Sequence, residues 1–189
     1  PAPDDLRSQM ARCEAVIRAF NVPVLKCDGV EADDLIATCV RQARERGIRV
    51  VIVAADKDLM QLVGPDVVLY DTMRERVFGP PEVEERFGVR IDQVRDLLAL
   101  TGDSSDNIPG VPSVGPKTAK ELLQAYGTLS GIYEHLEQIT RKSLREALEK
   151  NRELAFVSQR LVTLKEDCEC EFDLVKLRRG PRDVDALKL

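Results

Sequence analysis

The sequence predicts an α/β fold: a largely parallel sheet covered by helices on both faces, followed by a mostly helical part. Three observations lead there. Short β-branched runs alternate with amphipathic helical patterns up to about residue 79, the arrangement that produces parallel strands joined by helical crossovers. From Pro80 onward the chain reads as helices punctuated by Pro and Gly. No long low-complexity linker and no internal repeat interrupts the 189 residues, a length suited to one substantial domain with a smaller appendage.

In chain order, Leu6, Met10, Cys13, Val16, Ile17 and Phe20 recur at helical spacing and predict an amphipathic helix over 4–20. The run "VPVLKC" (22–27) reads as a short strand. A helix follows over 31–47, with an acidic start, an apolar stripe through Leu35, Ile36, Cys39, Val40 and Ala43, and Gly47 as its stop. "RVVIVAAD" (49–56) is apolar on both faces, as a buried strand would be. A short helix over 58–64, a strand over 66–72 and a smaller strand over 75–80 complete this part. Helices are then expected over 80–88, over 92–102 with Asp92 as N-cap, and near 117–126, 129–137, 141–151 and 153–162. The alternating segment 167–177 reads as a late strand or an extended arm. The expected divisions are a sheet-bearing part over 1–79, a helical part over 80–165 and an extension over 166–189.

Composition narrows the function. The formal net charge is -5, so indiscriminate polyanion binding is not the default. No apolar run approaches the roughly 18 residues of a membrane span, and no secretory leader pattern opens the chain. A cytoplasmic protein is expected. The five cysteines, Cys13, Cys27, Cys39, Cys168 and Cys170, form neither a disulfide framework nor a zinc set. His135 is the single histidine and sits among glutamates on an expected helix, a poor setting for a nucleophile–base pair.

Three acidic clusters stand out: Glu31, Asp33 and Asp34 in "GVEADD"; Asp56 and Asp58 in "VIVAADKD"; and Asp103 and Asp106 in "TGDSSDN". Each alone has an ordinary explanation, since acids favour helix N-termini and turns. The first two, however, fall at strand-to-helix junctions, where open α/β sheets place ligand sites. Seven carboxylates in one crevice without matching cations would repel one another. A set of carboxylates without His or Cys suits magnesium or manganese, and two such ions about 4 Å apart can activate water and stabilise a leaving oxygen.

Beside the third cluster lies "VPSVGPKTAKELL". Val114 precedes Gly115, Pro116 fits a first helical turn, and the free amides of the helix start suit a phosphate. Lys117 and Lys120 add charge. This is the layout of a helix-hairpin-helix motif, which grips a nucleic-acid backbone without reading bases. Between residues 112 and 160 there are eight Lys/Arg against six Asp/Glu, a mildly basic region in an acidic chain. Lys57, between two aspartates, reads as a solvated side chain.

In order along the chain, "GVEADD", "ADKDLMQLV", "LTGDSSDNIPGVPSVGPKTAKELL" and "NRELAFVSQRLVTL" resemble the 5′→3′ exonuclease (flap endonuclease) domain at the amino end of bacterial DNA polymerase I and the related stand-alone nucleases. The resemblance covers essentially the whole chain. It implies a PIN-like core and two Mg2+ or Mn2+ ions that activate water. Glu31, Asp33 and Asp34 would serve the first ion; Asp56, Asp58, Asp103 and Asp106 would serve the second. It implies a helix–three-turn–helix element within about 92–126, where Gly110, Val111, Ser113, Val114, Gly115, Lys117, Thr118 and Lys120 hold duplex DNA and the turn's carbonyls take a K+ ion. The implied substrate is nicked, flapped or primer-bearing DNA in replication and repair in the bacterial nucleoid. A monomer is expected, with fusion to a polymerase in the parent protein.

Two departures qualify the resemblance. Ser113 stands where the family commonly has glycine. The family's amino-terminal segment, with its first strand, two further aspartates and most of a basic arch, is expected to be missing, which would leave this chain weak or inactive as a nuclease but able to bind DNA. The alternatives are a structure-specific DNA-binding module without catalysis and a PIN-like ribonuclease; "VPSVGPKTA", suited to duplex DNA, disfavours the second.

Overall fold

The computed structural model describes residues 4–170 and 172–188. Helix α1 (Asp4–Ala19) is followed by an irregular stretch and α2 (Ala32–Glu45). Strand β1 (Val50–Val53), a 3-10 turn over Asp58–Leu62, β2 (Val67–Asp71) and β3 (Arg76–Phe78) form the sheet-bearing part. The helical part comprises α3 (Pro80–Phe87), α4 (Ile91–Thr101), α5 (Pro116–Tyr126), α6 (Leu129–Glu134), α7 (Lys142–Lys150) and α8 (Arg152–Val162). None of the described helices is long and apolar enough to cross a membrane.

The sheet is smaller and more mixed than the sequence predicts. Its order is β1-β2-β3; β1 runs parallel to β2, with Ile52 opposite Leu69, and β2 runs antiparallel to β3, with Leu69 opposite Phe78. Residues 22–27 have no regular secondary structure and pair with no strand among the described residues. The expected β-branched signal is present there, but Pro23 offers no amide and no neighbouring ladder lies alongside. Coverage is also one-sided. Ile52, Val67, Leu69 and Phe78 point into the core, whereas Val51 and Val53 on the opposite face are 62% and 63% exposed. An apolar run on both faces therefore does not mean burial on both faces here.

Helix α1 has the predicted period, but its stripe lies open: Met10 is 63% exposed, and among the described side chains of the helix only Ala19 joins the buried set. The segment 167–177 forms no strand among its described residues, and only its first half is an arm: 174–177 is a turn, closed by Leu177 N on the Asp173 carbonyl (2.8 Å); position 171 lies outside the described residues. The arm is fastened along α2: Lys165 N donates to Asp34 Oδ1 (2.9 Å), Cys168 N to Thr38 Oγ1 (3.1 Å) and Arg41 Nε to the Glu166 carbonyl (2.6 Å). Further on, Asp183 N donates to the Ala19 carbonyl (2.7 Å), tying the chain's end to α1. All five cysteines are free.

One apolar core runs through both parts, from Ala37 and Ile52 through Leu98 and Leu100 to Leu148 and Val162. Buried polar groups fix its geometry. Asp96 on α4 accepts from Leu129 N (2.8 Å) through Oδ2 and from Gln159 Nε2 (2.6 Å) through Oδ1, so one carboxylate caps α6 and anchors α8. Gln93, one turn earlier, donates to the carbonyls of Leu123 and Gly127, where α5 ends. Asp96→Ala leaves a buried amide and a side-chain amide unpaired; it should cost about 3 kcal/mol in a urea denaturation curve. A loss within experimental error would mean water replaces the carboxylate.

Candidate metal centre and nucleic-acid interface

The acids owe their positions to hydrophobic anchors on either side. After β1, Ala54 N still bonds the Tyr70 carbonyl (3.2 Å), and the chain then turns so that Asp56 Oδ1 accepts from Asp58 N (2.9 Å). Leu59 and Met60, almost wholly buried, pin the 3-10 turn that carries Asp58. On the other side, α4 ends at Gly102, and Asp103 and Ile108 exchange two backbone bonds (2.9 and 2.8 Å) that close the loop between them. Gly102 (φ +69°) and Gly110 (φ +63°) make this closure possible: a Cβ on Gly110 would meet Gly102 N at 2.4 Å.

Of the seven predicted carboxylates, Asp58, Asp103 and Asp106 converge, offering oxygens that all lie within 4.8 Å of one another. Asp33, at the start of α2, feels the same field: its carboxyl is raised by burial first, then by Asp56, Glu31, Asp34 and Asp106. Asp56 is exposed and engaged with the Asp58 amide. Asp34 is turned to the arm, where it accepts from Lys165 N. Glu31 is the exposed N-cap residue of α2, with no side-chain capping bond.

Within the triad, identical groups are driven in opposite directions. Burial, reinforced by the charge of Asp56, pushes Asp58 up to about 6. The Lys57 ammonium first, then Ser105, holds Asp103 down at about 2. Asp103 Oδ1 accepts from Ser105 N (2.9 Å) and Ser105 Oγ (2.6 Å), and its Oδ2 accepts from Lys57 Nζ. Lys57 is thus an ion-pair partner, not the solvated side chain that the sequence predicts. The Asp-Lys-Asp spacing was the available signal, since it tethers a cation among the acids. Asp58 Oδ1 is buried and has no hydrogen-bond partner. A buried, unpaired oxygen on a carboxylate that converges with two others is a costly arrangement for a bare protein and fits a hard divalent cation, whose preferred ligands are oxygens.

The turn that follows is built on two buried anchors. Val111 N bonds the Leu100 carbonyl (2.8 Å), Val114 N bonds the Val111 carbonyl (3.0 Å), and both side chains are buried. Gly110 N donates to Ser158 Oγ (3.1 Å) on α8. Gly115 precedes α5, Pro116 occupies its first turn, and no side chain caps the helix, so the first amides open outward. Lys117 is exposed beside them. Thr118 Oγ1 accepts from Arg141 Nη2 (3.4 Å). Lys120 instead lies back over Gly88, where an added Cβ would meet its Nζ at 2.8 Å. Ser113 is exposed and has a left-handed backbone, φ 70°.

Comparison with known proteins gives a consistent result. Residues 1–88 match the family model of the 5′-3′ exonuclease N-terminal resolvase-like domain, and residues 89–185 that of the 5′-3′ exonuclease C-terminal SAM fold. DNA polymerase I of Rhizobium leguminosarum is 43% identical over 98% of this chain, which spans only 19% of that protein. Flap endonuclease Xni of Serratia proteamaculans is 40% identical over 94% of the chain and 70% of its own length. The flap endonuclease of bacteriophage T5, solved as a pseudo-enzyme–product complex with DNA and metal ions, superimposes with a TM-score of 0.70 at 24% identity, covering 83% of this chain and 56% of that one.

Two outcomes follow from this geometry. The folded value of Asp58, about 6, lies above the roughly 4 of an unfolded aspartate, so the folded protein holds an extra proton between them. Stability from this group therefore falls as pH rises from about 4 to about 6. Asp103 has the opposite sign: its contribution is present above about pH 4 and is lost as pH falls toward its folded value of about 2. In metal-free protein, Asp58→Asn should flatten the decline and raise stability near neutral pH by about 1 kcal/mol, allowing for solvent screening at a half-exposed group. Denaturation curves at about pH 4.5 and 7.5 check this; an unchanged slope would assign the decline to another acid. Separately, Ser113→Gly relieves a left-handed conformation and should add about 0.5–1 kcal/mol, read as a raised melting temperature.

Proposed function

Because the chain belongs to the 5′-3′ exonuclease family, we propose that it carries out divalent-metal-dependent hydrolysis of DNA phosphodiesters at 5′ flaps, nicks and RNA primers. The observation that carries this reading is the orphaned Asp58 Oδ1 within the Asp58, Asp103 and Asp106 cluster, a few residues from a helix start suited to phosphate. In this reading the sheet is a PIN-like core, and the parent acts in replication and repair in the bacterial nucleoid.

Asp58, Asp103 and Asp106, with Asp56 beside them, would hold one Mg2+ or Mn2+ ion. Glu31, Asp33 and Asp34 would hold a second. Such ions supply a nucleophilic water at neutral pH and neutralise charge developing on the phosphate oxygens. The chain's own residues do the rest. Ser105 keeps Asp103 oriented. The backbone amides at the start of α5 and the Lys117 ammonium would bind the phosphates of the duplex, assisted by Gly110, Val111, Ser113, Val114, Gly115, Thr118 and Lys120, and by a K+ ion on the turn's carbonyls. The two cation sites would not be equal. The triad is convergent, whereas Asp34 has committed one oxygen to the arm, so the first cluster should hold its ion more loosely and this chain alone should cut slowly.

The test is cleavage of 5′-flap DNA and of single-stranded RNA in magnesium, with binding measured in calcium. Flap DNA should be cut in preference, and Asp106→Asn should slow cutting about a hundredfold, since misplacing a reacting group by about 1 Å costs that much. Binding in calcium should persist in Asp106→Asn and weaken steeply with salt. Binding without cleavage at any magnesium concentration would support a DNA-binding module; preferential RNA cleavage would support a ribonuclease.

A further inference from the structure

We propose that Lys57 is the resident counter-cation of the carboxylate triad: it occupies Asp103 in the metal-free protein, is expelled when a divalent ion binds, and thereby sets how much ion is needed to fill the site. This rests on reading the triad as an ion site, and it concerns what holds that site before the ion arrives.

The argument begins with the oxygens. Asp103 Oδ1 is taken by the amide and hydroxyl of Ser105. Its Oδ2 is the oxygen left for an ion, and that is the atom the Lys57 ammonium holds. Ammonium and ion therefore compete for one oxygen rather than sharing the carboxylate. The Lys57–Asp103 pair is also the triad's one ion pair among the described residues, so the neutralising charge cannot be supplied by a neighbouring pair when Lys57 leaves.

The pair is built to open. Asp103 is fixed, with its side chain 7% exposed, but the Lys57 side chain is 36% exposed and can swing its head into water without disturbing the core. An ammonium is compact, strongly hydrated and carried on a flexible stem; it makes no planar two-point clamp of the kind an arginine would. A hard divalent ion gains more from three converging carboxylates than a single positive charge does. Lys57 is meanwhile tethered between Asp56 and Asp58, so its local concentration is high and the competition is felt at every ion concentration.

The experiment follows free Mn2+ by electron paramagnetic resonance during titration of the 189-residue chain, with melting temperatures recorded with and without magnesium. Lys57→Met and Lys57→Gln should each bind Mn2+ roughly tenfold more tightly, a change of about 1.4 kcal/mol. Both should melt lower than wild type without metal and gain more on adding magnesium. Lys57→Arg, which keeps the charge, should return Mn2+ affinity toward that of wild type; a purely steric role would not produce this split. Unchanged or weaker Mn2+ binding in both neutral variants, with Asp58→Asn still abolishing binding, would overturn the role of Lys57 and leave the ion site standing. If wild type itself binds no Mn2+ that Asp58→Asn removes, the ion-site reading fails and this inference fails with it.

Discussion

The close approach of Gly102 and Gly110 governs the functional half of the molecule. Their backbones come so near that no side chain fits between them, and the loop they bracket is closed by the reciprocal bonds of Asp103 and Ile108. The closure keeps Asp103 and Asp106 on the side facing Asp58 and presents the amide of Val111 to the end of α4. From the other side, Ser158 on α8 holds Gly110, and Gln159, the next residue, holds Asp96 on α4. The paired α4 and α8 thus form a frame on which both the acids and the turn at 110–115 are mounted.

Within that frame, electrostatics differ sharply over short distances. Asp58 and Asp103 are the same side chain in the same cluster, yet burial drives one up and hydrogen bonding from Lys57 drives the other down. The contrast is one of partners: Asp103 has both oxygens occupied, while Asp58 has an oxygen with none. One carboxylate of the cluster is thus satisfied by its neighbours and another is left with an unpaired oxygen.

Much of this was legible in the sequence, because the signals were local. Pro116 after Gly115 marks the start of α5 as expected, Gly88 the end of α3, and the "TGDSSDN" spacing gives Asp103 and Asp106 their shared loop. What could not be read depends on what lies across from a residue. The apolar pattern at 49–56 says that a strand forms, but not that Val51 and Val53 face outward. The stripe on α1 gives the helix but not an open face. Residues 22–27 have strand-like composition without a strand to pair with. Asp34 could be recognised as an acid at a helix start, but not as the acceptor for an amide 131 residues away. Lys57 looked solvated because its partner lies 46 residues further on.

The end of α4 carries a consequence of its own. Gly102 N bonds the Leu98 carbonyl and Val111 N the Leu100 carbonyl, so the short segment that carries Asp103 is held at both ends to the last turn of α4. The peptide between them acts as a fixed ruler. The separation of the turn from the carboxylates is set by covalent length and closed hydrogen bonds. Anything that rested on that turn would meet the acids at one spacing, set by the backbone rather than by side chains.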